Sequence, residues 1–231
     1  MGIHVLSWNI WWGGVYLDKV IKFLSSSHAD IIALQEVTQT PSGENNTADL
    51  IADKLGMKYV YGTGVDVRPL KPFVMGNAIL TKLPILTSKT QRLGLTNTRV
   101  AIQADIHIQN SIIHMITAHL VHTHQKPSVE QERQASDLVI FAPKDHTIIA
   151  GDFNATQNSQ TVANITKQFM RVDSSNDPTW CVYEEKIDGC VKSLSVRLDY
   201  FFKTPDINTS DFRIEQSDGS DHLPISMDID I

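Results

Sequence analysis

The feature that most limits how this chain can fold is the way its apolar runs stop. Val5-Leu6-Ser7-Trp8 stops at Asn9, Ile31 to Gln35 stops at Glu36, and Ile116-Thr117-Ala118 stops at His119. Ile148-Ile149-Ala150 breaks at Gly151 and delivers Asp152, Phe153 and Asn154. Apolar runs this short, bounded by polar and glycine residues, predict buried strands. Strand alternation puts Asp152 and Asn154 on one side and packs Phe153 on the other, while Gly151 permits close backbone approach or an unusual dihedral. Arg197-Leu198-Asp199-Tyr200-Phe201 places a carboxylate inside an apolar run, and Ser220-Asp221-His222 stands just before a last strand, Pro224 to Ile231. Strand ends that gather amides, carboxylates and imidazoles suit a hydrolytic metal site.

A chain of 231 residues, 42% of them apolar, can bury the core of one large domain, so residues 1–231 are expected to form a single unit. No apolar stretch reaches the ~18 residues of a bilayer span, and the N-terminus lacks a signal-peptide pattern, which favours a cytoplasmic location. A monomer is expected. The formal charge of −6 gives no general affinity for a polyanion and disfavours a nucleic-acid coat or scaffold. Cys181 and Cys190 match no zinc spacing. Two unpaired thiols is the simpler expectation, and a local disulfide is the alternative.

Along the chain, His4 to Asn9 predicts a first strand, and Ile10-Trp11-Trp12-Gly13-Gly14 a loop whose glycines let it bend beside Asn9. Leu17, Val20, Ile21 and Leu24 recur at helical spacing, predicting an amphipathic helix over residues 15–27. A second strand over Asp30 to Val37 follows, then a loop and a helix from Ala48 to Leu55. From Lys58 to Ile108 the pattern changes to short strands, with Val100, Ile102, Ala104, Ile106 and Ile108 alternating before a hairpin at Gln109-Asn110-Ser111. Ser128 and Gln131 form a capping box for a helix striped by Ala135, Leu138, Val139 and Ala142, and Ser159 to Phe169 reads as another helix. Two halves, each of strands with an outer helix, imply an α/β four-layer sandwich: two mixed, largely antiparallel β-sheets face to face, helices outside, and active groups on one edge.

Ser7-Trp8-Asn9, Leu34-Gln35-Glu36, Gly151-Asp152-Phe153-Asn154, Arg197-Leu198-Asp199-Tyr200 and Ser220-Asp221-His222 occur in this order from near one end of the chain to the other. Together they resemble the endonuclease/exonuclease/phosphatase superfamily, and Gly76-Asn77-Ala78-Ile79-Leu80 and Thr117-Ala118-His119-Leu120 resemble its strands. The resemblance implies that Glu36, with Asn9, holds Mg²⁺, with Mn²⁺ as a substitute. It implies that Asp152 orients or deprotonates the attacking water, that Asn154 fixes the water or a phosphate oxygen, and that His119 donates to a phosphate oxygen. Asp199 would pair with His222 and raise its basicity, and Asp221 would be a further metal contact.

Other residues give weaker signals. His119, His122 and His124 mimic a zinc cluster, but solvation in a loop is the better reading of the last two. Trp11, Trp12 and Trp180 can stack on a base, an aryl group or a lipid head, and core or rim packing is the equal alternative. Arg99, Asn77 and Arg133 are candidates for phosphate binding. An apolar tip at Pro72-Phe73-Val74-Met75 is read as packing under the next strand. The expected function is a Mg²⁺-dependent phosphodiesterase or nuclease acting by in-line attack of water on a phosphoester, whether DNA ends or a small phosphodiester. The motif set is most similar to tyrosyl-DNA phosphodiesterase 2-like members. Sphingomyelinases and inositol-phosphate phosphatases of the same superfamily share the set, and a non-catalytic phosphate-binding module is the competing class.

Overall fold

The computed structural model describes residues 2–66, 73–96, 98–183 and 194–230, with the side chains of 65 and 66 left aside. Two six-stranded sheets form its centre. The first contains β1 (Ile3–Asn9), β2 (Ile31–Gln39), β3 (Lys58–Asp66), β4 (Val74–Thr81), β11 (Asn208–Ile214) and β12 (Ile225–Asp230), in the order β11-β12-β1-β2-β4-β3. The second contains β5 (Ile85–Leu93), β6 (Arg99–Ile108), β7 (Ser111–His119), β8 (Thr147–Asp152), β9 (Met170–Arg171) and β10 (Asp199–Lys203), in the order β5-β6-β7-β8-β10-β9. Each sheet has one parallel pair, β1–β2 and β7–β8, and every other pairing is antiparallel. Both parallel pairs are joined through a helix, as a parallel connection requires.

The expected four layers are present. Between the sheets, Val5, Ile31, Ile79, Met115, Ile148, Phe201, Ile225 and Met227 are buried with the alternating run Val100, Ile102, Ala104, Ile106 and Ile108. On the outer face of the first sheet, α2 (Leu17–Ser27) and α3 (Thr47–Leu55) bury Val20, Leu24, Ile51 and Ala52 against Leu6, Trp8, Ile32 and Leu34. On the outer face of the second, α4 (Val129–Phe141) and α5 (Gln160–Thr166) bury Ala135, Leu138, Val162 and Ile165 against Ile116, Ile149, Phe153 and Phe202. Each such Val, Leu or Ile contributes about 1.5–3 kcal/mol relative to exposure, so both helix layers are anchored by their apolar stripes rather than by helix propensity. No helix among the described residues is long and apolar enough to cross a membrane.

Several local expectations are corrected. Trp11–Gly14 is a single tight turn, α1, with φ of 57° and 51° at Trp11 and Trp12 and 77° and 87° at Gly13 and Gly14, closed by Val15 N donating to Trp11 O at 3.0 Å. The helix expected to reach Phe169 ends at Thr166, yet Phe169 stays buried because its amide still donates to Ile165 O. Ser128 caps α4 by accepting from Gln131 N at 3.3 Å, but the Gln131 side chain does not reach back. Its amide instead donates to Val121 O and Asn154 O and accepts from Thr161 Oγ1. The two unpaired thiols are overturned at Cys181, which is disulfide-bonded, while Cys190 lies outside the described residues, as does Pro72 of the apolar tip.

Candidate active site

Strand register assembles one half of the site. His119 at the end of β7 lies opposite Asp152 at the end of β8, and Asp152 lies opposite Asp199 at the start of β10. One row across the sheet therefore carries an imidazole and two carboxylates. Gly151 makes the row possible: a Cβ on it would lie 1.9 Å from Ala118 O, and its φ is 150°. Directly opposed carboxylates repel, and His222 answers both. Its Nδ1 is 2.9 Å from Asp199 Oδ2 and its Nε2 is 3.6 Å from Asp152 Oδ2. Trp8 Nε1 donates to His222 O at 2.8 Å, and Ser220 Oγ donates to Asn9 O at 2.6 Å, so the Ser220-Asp221-His222 segment is pinned to the end of β1.

The other half comes from the first sheet. Between Leu34 and Val37 the β2–β4 register shifts by a bulge, and Glu36 takes φ 59° there. A bulge re-aims a side chain that regular alternation would misplace. Glu36 Oε1 accepts from Asn9 Nδ2 at 3.1 Å, and Oε2 accepts from Trp12 N at 2.8 Å. Asn9 Nδ2 also donates to Asp152 Oδ2 at 3.0 Å, which joins the halves, and Asn9 Oδ1 accepts from Trp11 N at 3.0 Å. The left-handed turn at 11–14 thus supplies two backbone donors. Beneath them, Gln35 Nε2 reaches Ser7 Oγ at 3.2 Å and Thr117 Oγ1 at 3.0 Å, bridging the sheets.

Donors surround His119. Arg99 Nη1 lies 3.2 Å from His119 Nδ1, and a guanidinium can only donate. Asn154 Nδ2, also a donor, lies 3.0 Å from His119 Nε2, which is 3.4 Å from Asp152 Oδ2, so both ring nitrogens face donors that compete for the one lone pair of the neutral ring. Burial first, and then the charges of Arg99, His222 and His122, hold His119 well below its ordinary value, so it is neutral. Asn154, at φ 50°, places Nδ2 at 3.0 Å from Leu120 O and 3.4 Å from Asp152 Oδ2, and its backbone N donates to Asp152 Oδ1 at 2.9 Å.

The charges are set by burial and by one another. Burial opposes protonation of His222, but Asp199, Asp152 and Asp221 together outweigh it and raise it well above the ordinary histidine value. Burial, reinforced by Asp199, pushes Asp152 up to about 7 against the pull of His222, Asn154 and Asn9. Asp221 is pushed up to about 6 by burial and by Glu36.

Asp152, Asp199 and His222 offer ligand atoms within 4.8 Å of one another and could hold a metal ion. The Asp199 hydrogen bond and the raised His222 argue against that use, because a protonated imidazole has no lone pair for a metal. Glu36, Asn9 and Asp221 with Asp152 offer only oxygen donors, and Asn9 Oδ1 keeps a second lone pair. That donor set fits a hard divalent cation, and the pressure that burial and Glu36 put on Asp221 is what such a charge would relieve.

Arg99, half-buried, lines a small cavity with Asn77, Gly76, Gly64 and His119, and Asn77 Nδ2 is committed to Val100 O at 2.9 Å. Trp180 is only 7% exposed, so it offers little stacking face; its Nε1 donates to Asp221 Oδ2 at 3.2 Å. Trp11 stacks on Tyr183 with centroids 5.8 Å apart, and Trp12 meets Phe73 edge-on, forming an aromatic rim beside Glu36. Arg133 lies outside the site, paired with Asp137 at 2.9 Å. Two residues outside the expected site set join the site. Thr179 Oγ1 donates to Asp199 Oδ2 at 2.6 Å, and His122, expected to be solvated, lies 2.7 Å from Asn154 Oδ1. In the sequence, Thr179 is marked only by the resemblance of Thr179-Trp180 to a Thr-Trp pair of tyrosyl-DNA phosphodiesterase 2-like members, and His122 only as one of three neighbouring histidines.

The family model described as "Endonuclease/Exonuclease/phosphatase family" matches residues 6–222. No curated protein matches the chain. Among solved structures, the chain resembles an endonuclease/exonuclease/phosphatase family protein from Leptotrichia buccalis, with a TM-score of 0.81 and 16% identity, covering 99% of this chain and 100% of that one. The human Nocturnin catalytic domain with bound sulfate matches with a TM-score of 0.73 and 18% identity over 99% and 94% of the two chains. D. rerio TDP2 complexed with a single-strand DNA product matches with a TM-score of 0.73 and 19% identity over 100% and 99%.

Proposed function

The chain belongs to the endonuclease/exonuclease/phosphatase family, whose members hydrolyse phosphoester bonds, and from that premise we propose that it is a Mg²⁺-dependent phosphodiesterase. The observation that carries the reading is His222 set between Asp199, at 2.9 Å, and Asp152, at 3.6 Å. That arrangement keeps one imidazole protonated beside one carboxylate basic enough to accept a proton near neutral pH. Asp152 takes the proton of the attacking water as its oxygen bonds to phosphorus and the bond to the leaving oxygen breaks. His222, oriented by Asp199 and Thr179, stabilises the charge on the pentacovalent phosphoryl group. Asn154 Nδ2 adds a donor from the other side, beside His119. Glu36, Asn9 and Asp221 would hold the divalent cation, which when bound supplies Lewis-acid charge for the phosphoryl oxygens.

For the substrate, a net charge of −6 favours recognition of a phosphodiester at a chain end or in a small molecule over tracking along a polyanion. The likeness to D. rerio TDP2 with a single-strand DNA product makes single-stranded DNA ends the first class to try. Turnover of bis-p-nitrophenyl phosphate with Mg²⁺, abolished by EDTA and restored by Mg²⁺ or Mn²⁺, tests the reaction. Undiminished turnover in EDTA, or none with either metal, overturns it. A panel of single-stranded DNA, 5′-phosphotyrosyl DNA, sphingomyelin and inositol phosphates tests the substrate.

A further inference from the structure

Of the side chains in contact with the Asn154 carboxamide, His122 is the one left without a part in this reaction. Its Nδ1 is 2.7 Å from Asn154 Oδ1, its Nε2 is 3.2 Å from His124 Nδ1, and its ring is tilted 58° to Trp180 with centroids 6.1 Å apart. Asn154 has its amide nitrogen fixed by the Leu120 carbonyl at 3.0 Å, so the atom facing His122 is the amide oxygen. A carboxamide oxygen only accepts, hence His122 carries a proton on Nδ1 and donates it. Nε2 is then free to accept from His124.

We propose that His122 is a positioning residue that holds and polarises the Asn154 carboxamide, so that the Nδ2 proton turned towards His119 Nε2 at 3.0 Å and Asp152 Oδ2 at 3.4 Å is kept in place to be given to the reacting phosphoryl group. The proposal rests on the phosphoesterase reading of the site. Asn154 sits at φ 50° in the left-handed region at the end of β8, where a short polar side chain is tolerated but the local backbone does not define its rotamer. Leu120 O holds one end of the amide, and His122 holds the other. Donation into Oδ1 draws electron density from the amide nitrogen and strengthens the bond its protons make, the cooperative effect expected for linked hydrogen bonds in a dry site. The gain is largest when charge develops on phosphorus oxygens, so it belongs to the transition state rather than to substrate binding.

The chemistry of the ring makes the test specific. Asn places its Nδ2 where His has Nδ1, whereas Gln reaches where His has Nε2. His122→Phe should lower kcat about tenfold with KM changed less than about twofold, the value of one hydrogen bond expressed in the transition state. His122→Asn should recover kcat to within about threefold, while His122→Gln should behave like His122→Phe. A second readout is independent of turnover: in nitrogen-15 spectra the Asn154 carboxamide resonances, assigned by their loss in Asn154→Ala, should move in His122→Phe and return towards their original position in His122→Asn. Unchanged resonances in a folded His122→Phe overturn the proposal. So does rescue by Gln rather than Asn, which would put the role at Nε2. If His122→Phe fails to fold, the Asn and Gln pair carries the same decision. Failure of the wild-type protein to turn over bis-p-nitrophenyl phosphate with Mg²⁺ would instead be a failure of the phosphoesterase reading, and the resonance shifts would still test the contact.

Discussion

The two halves of the site are built on opposite principles. Asn9 and Glu36, from the first sheet, are held by donors on a left-handed turn, and Glu36 remains partly exposed beside an aromatic rim. Asp152, Asp199 and His222, from the second sheet and the loop before β12, are each at most 4% exposed and answer one another's charges. Asn9 is fully buried, so the opening is at Glu36, where oxygen atoms leave room for a cation and its waters, whereas a closed set of charges fixes where protons reside. One half is suited to supplying charge from outside, the other to holding protons within, and Asn9 Nδ2 on Asp152 at 3.0 Å ties the two together.

The sharpest way to break this division is to remove the open half's charge. Glu36→Gln should lower Mg²⁺-dependent turnover on the order of 10³-fold or more while the melting temperature without metal is little changed; near-normal turnover and Mg²⁺ affinity would show that the cation belongs elsewhere. In the closed half, His222→Ala should cost on the order of 10³-fold in kcat and Asp199→Asn on the order of 10²-fold, with Mg²⁺ affinity held. The double variant should be within about threefold of His222→Ala. Asp199 helps raise His222, so Asp199→Asn should move the basic limb of the rate profile to lower pH, and additive losses or an unmoved limb would assign Asp199 a purely structural part.

A smaller effect concerns stability. Asp152 lies at about 7 when folded against an ordinary 3.8, so as pH rises the unfolded chain gives up that proton first and stability falls between those values. His222, raised when folded, contributes stability that is present below its ordinary value and lost as pH rises through its folded one, in the same direction. Calorimetry in EDTA should therefore show the melting temperature declining from about pH 4 to pH 7, less steeply in Asp152→Asn or with Mg²⁺ present. Equal declines in all three would show that the charge is not what the closed half is built around. The smallest expected loss is that of Trp180→Phe, which removes the donor to Asp221 and should lower kcat/KM about tenfold or less, mostly recovered at higher Mg²⁺. A loss insensitive to Mg²⁺ would move Asp221 from the open half to the closed one.

Much of this was legible from residue order. The apolar stripes of α2 and α4 and the alternation of β6 predicted their buried faces because burial periodicity is a local property. The polar residues at strand ends were legible for the same reason: each ends a run that has nowhere else to go. The edge strand β11 was not, since Asn208 to Ile214 is mostly exposed and pairs on one side only, so no apolar pattern marks it. The roles of His122 and Thr179 were not legible either, because each matters through a partner, Asn154 or Asp199, at 32 and 20 positions' separation.

Sequence by itself therefore determined which groups gather at the strand ends and that two sheets with outer helices carry them. Only the tertiary structure decided their states: the bulge that turns Glu36 inward, the register that sets Asp152 against Asp199, and the tautomer of His122. Hydrophobic patterning acts along the chain and survives in one dimension. A proton's position depends on which donor stands opposite, and that is settled only when strands distant in sequence are packed side by side.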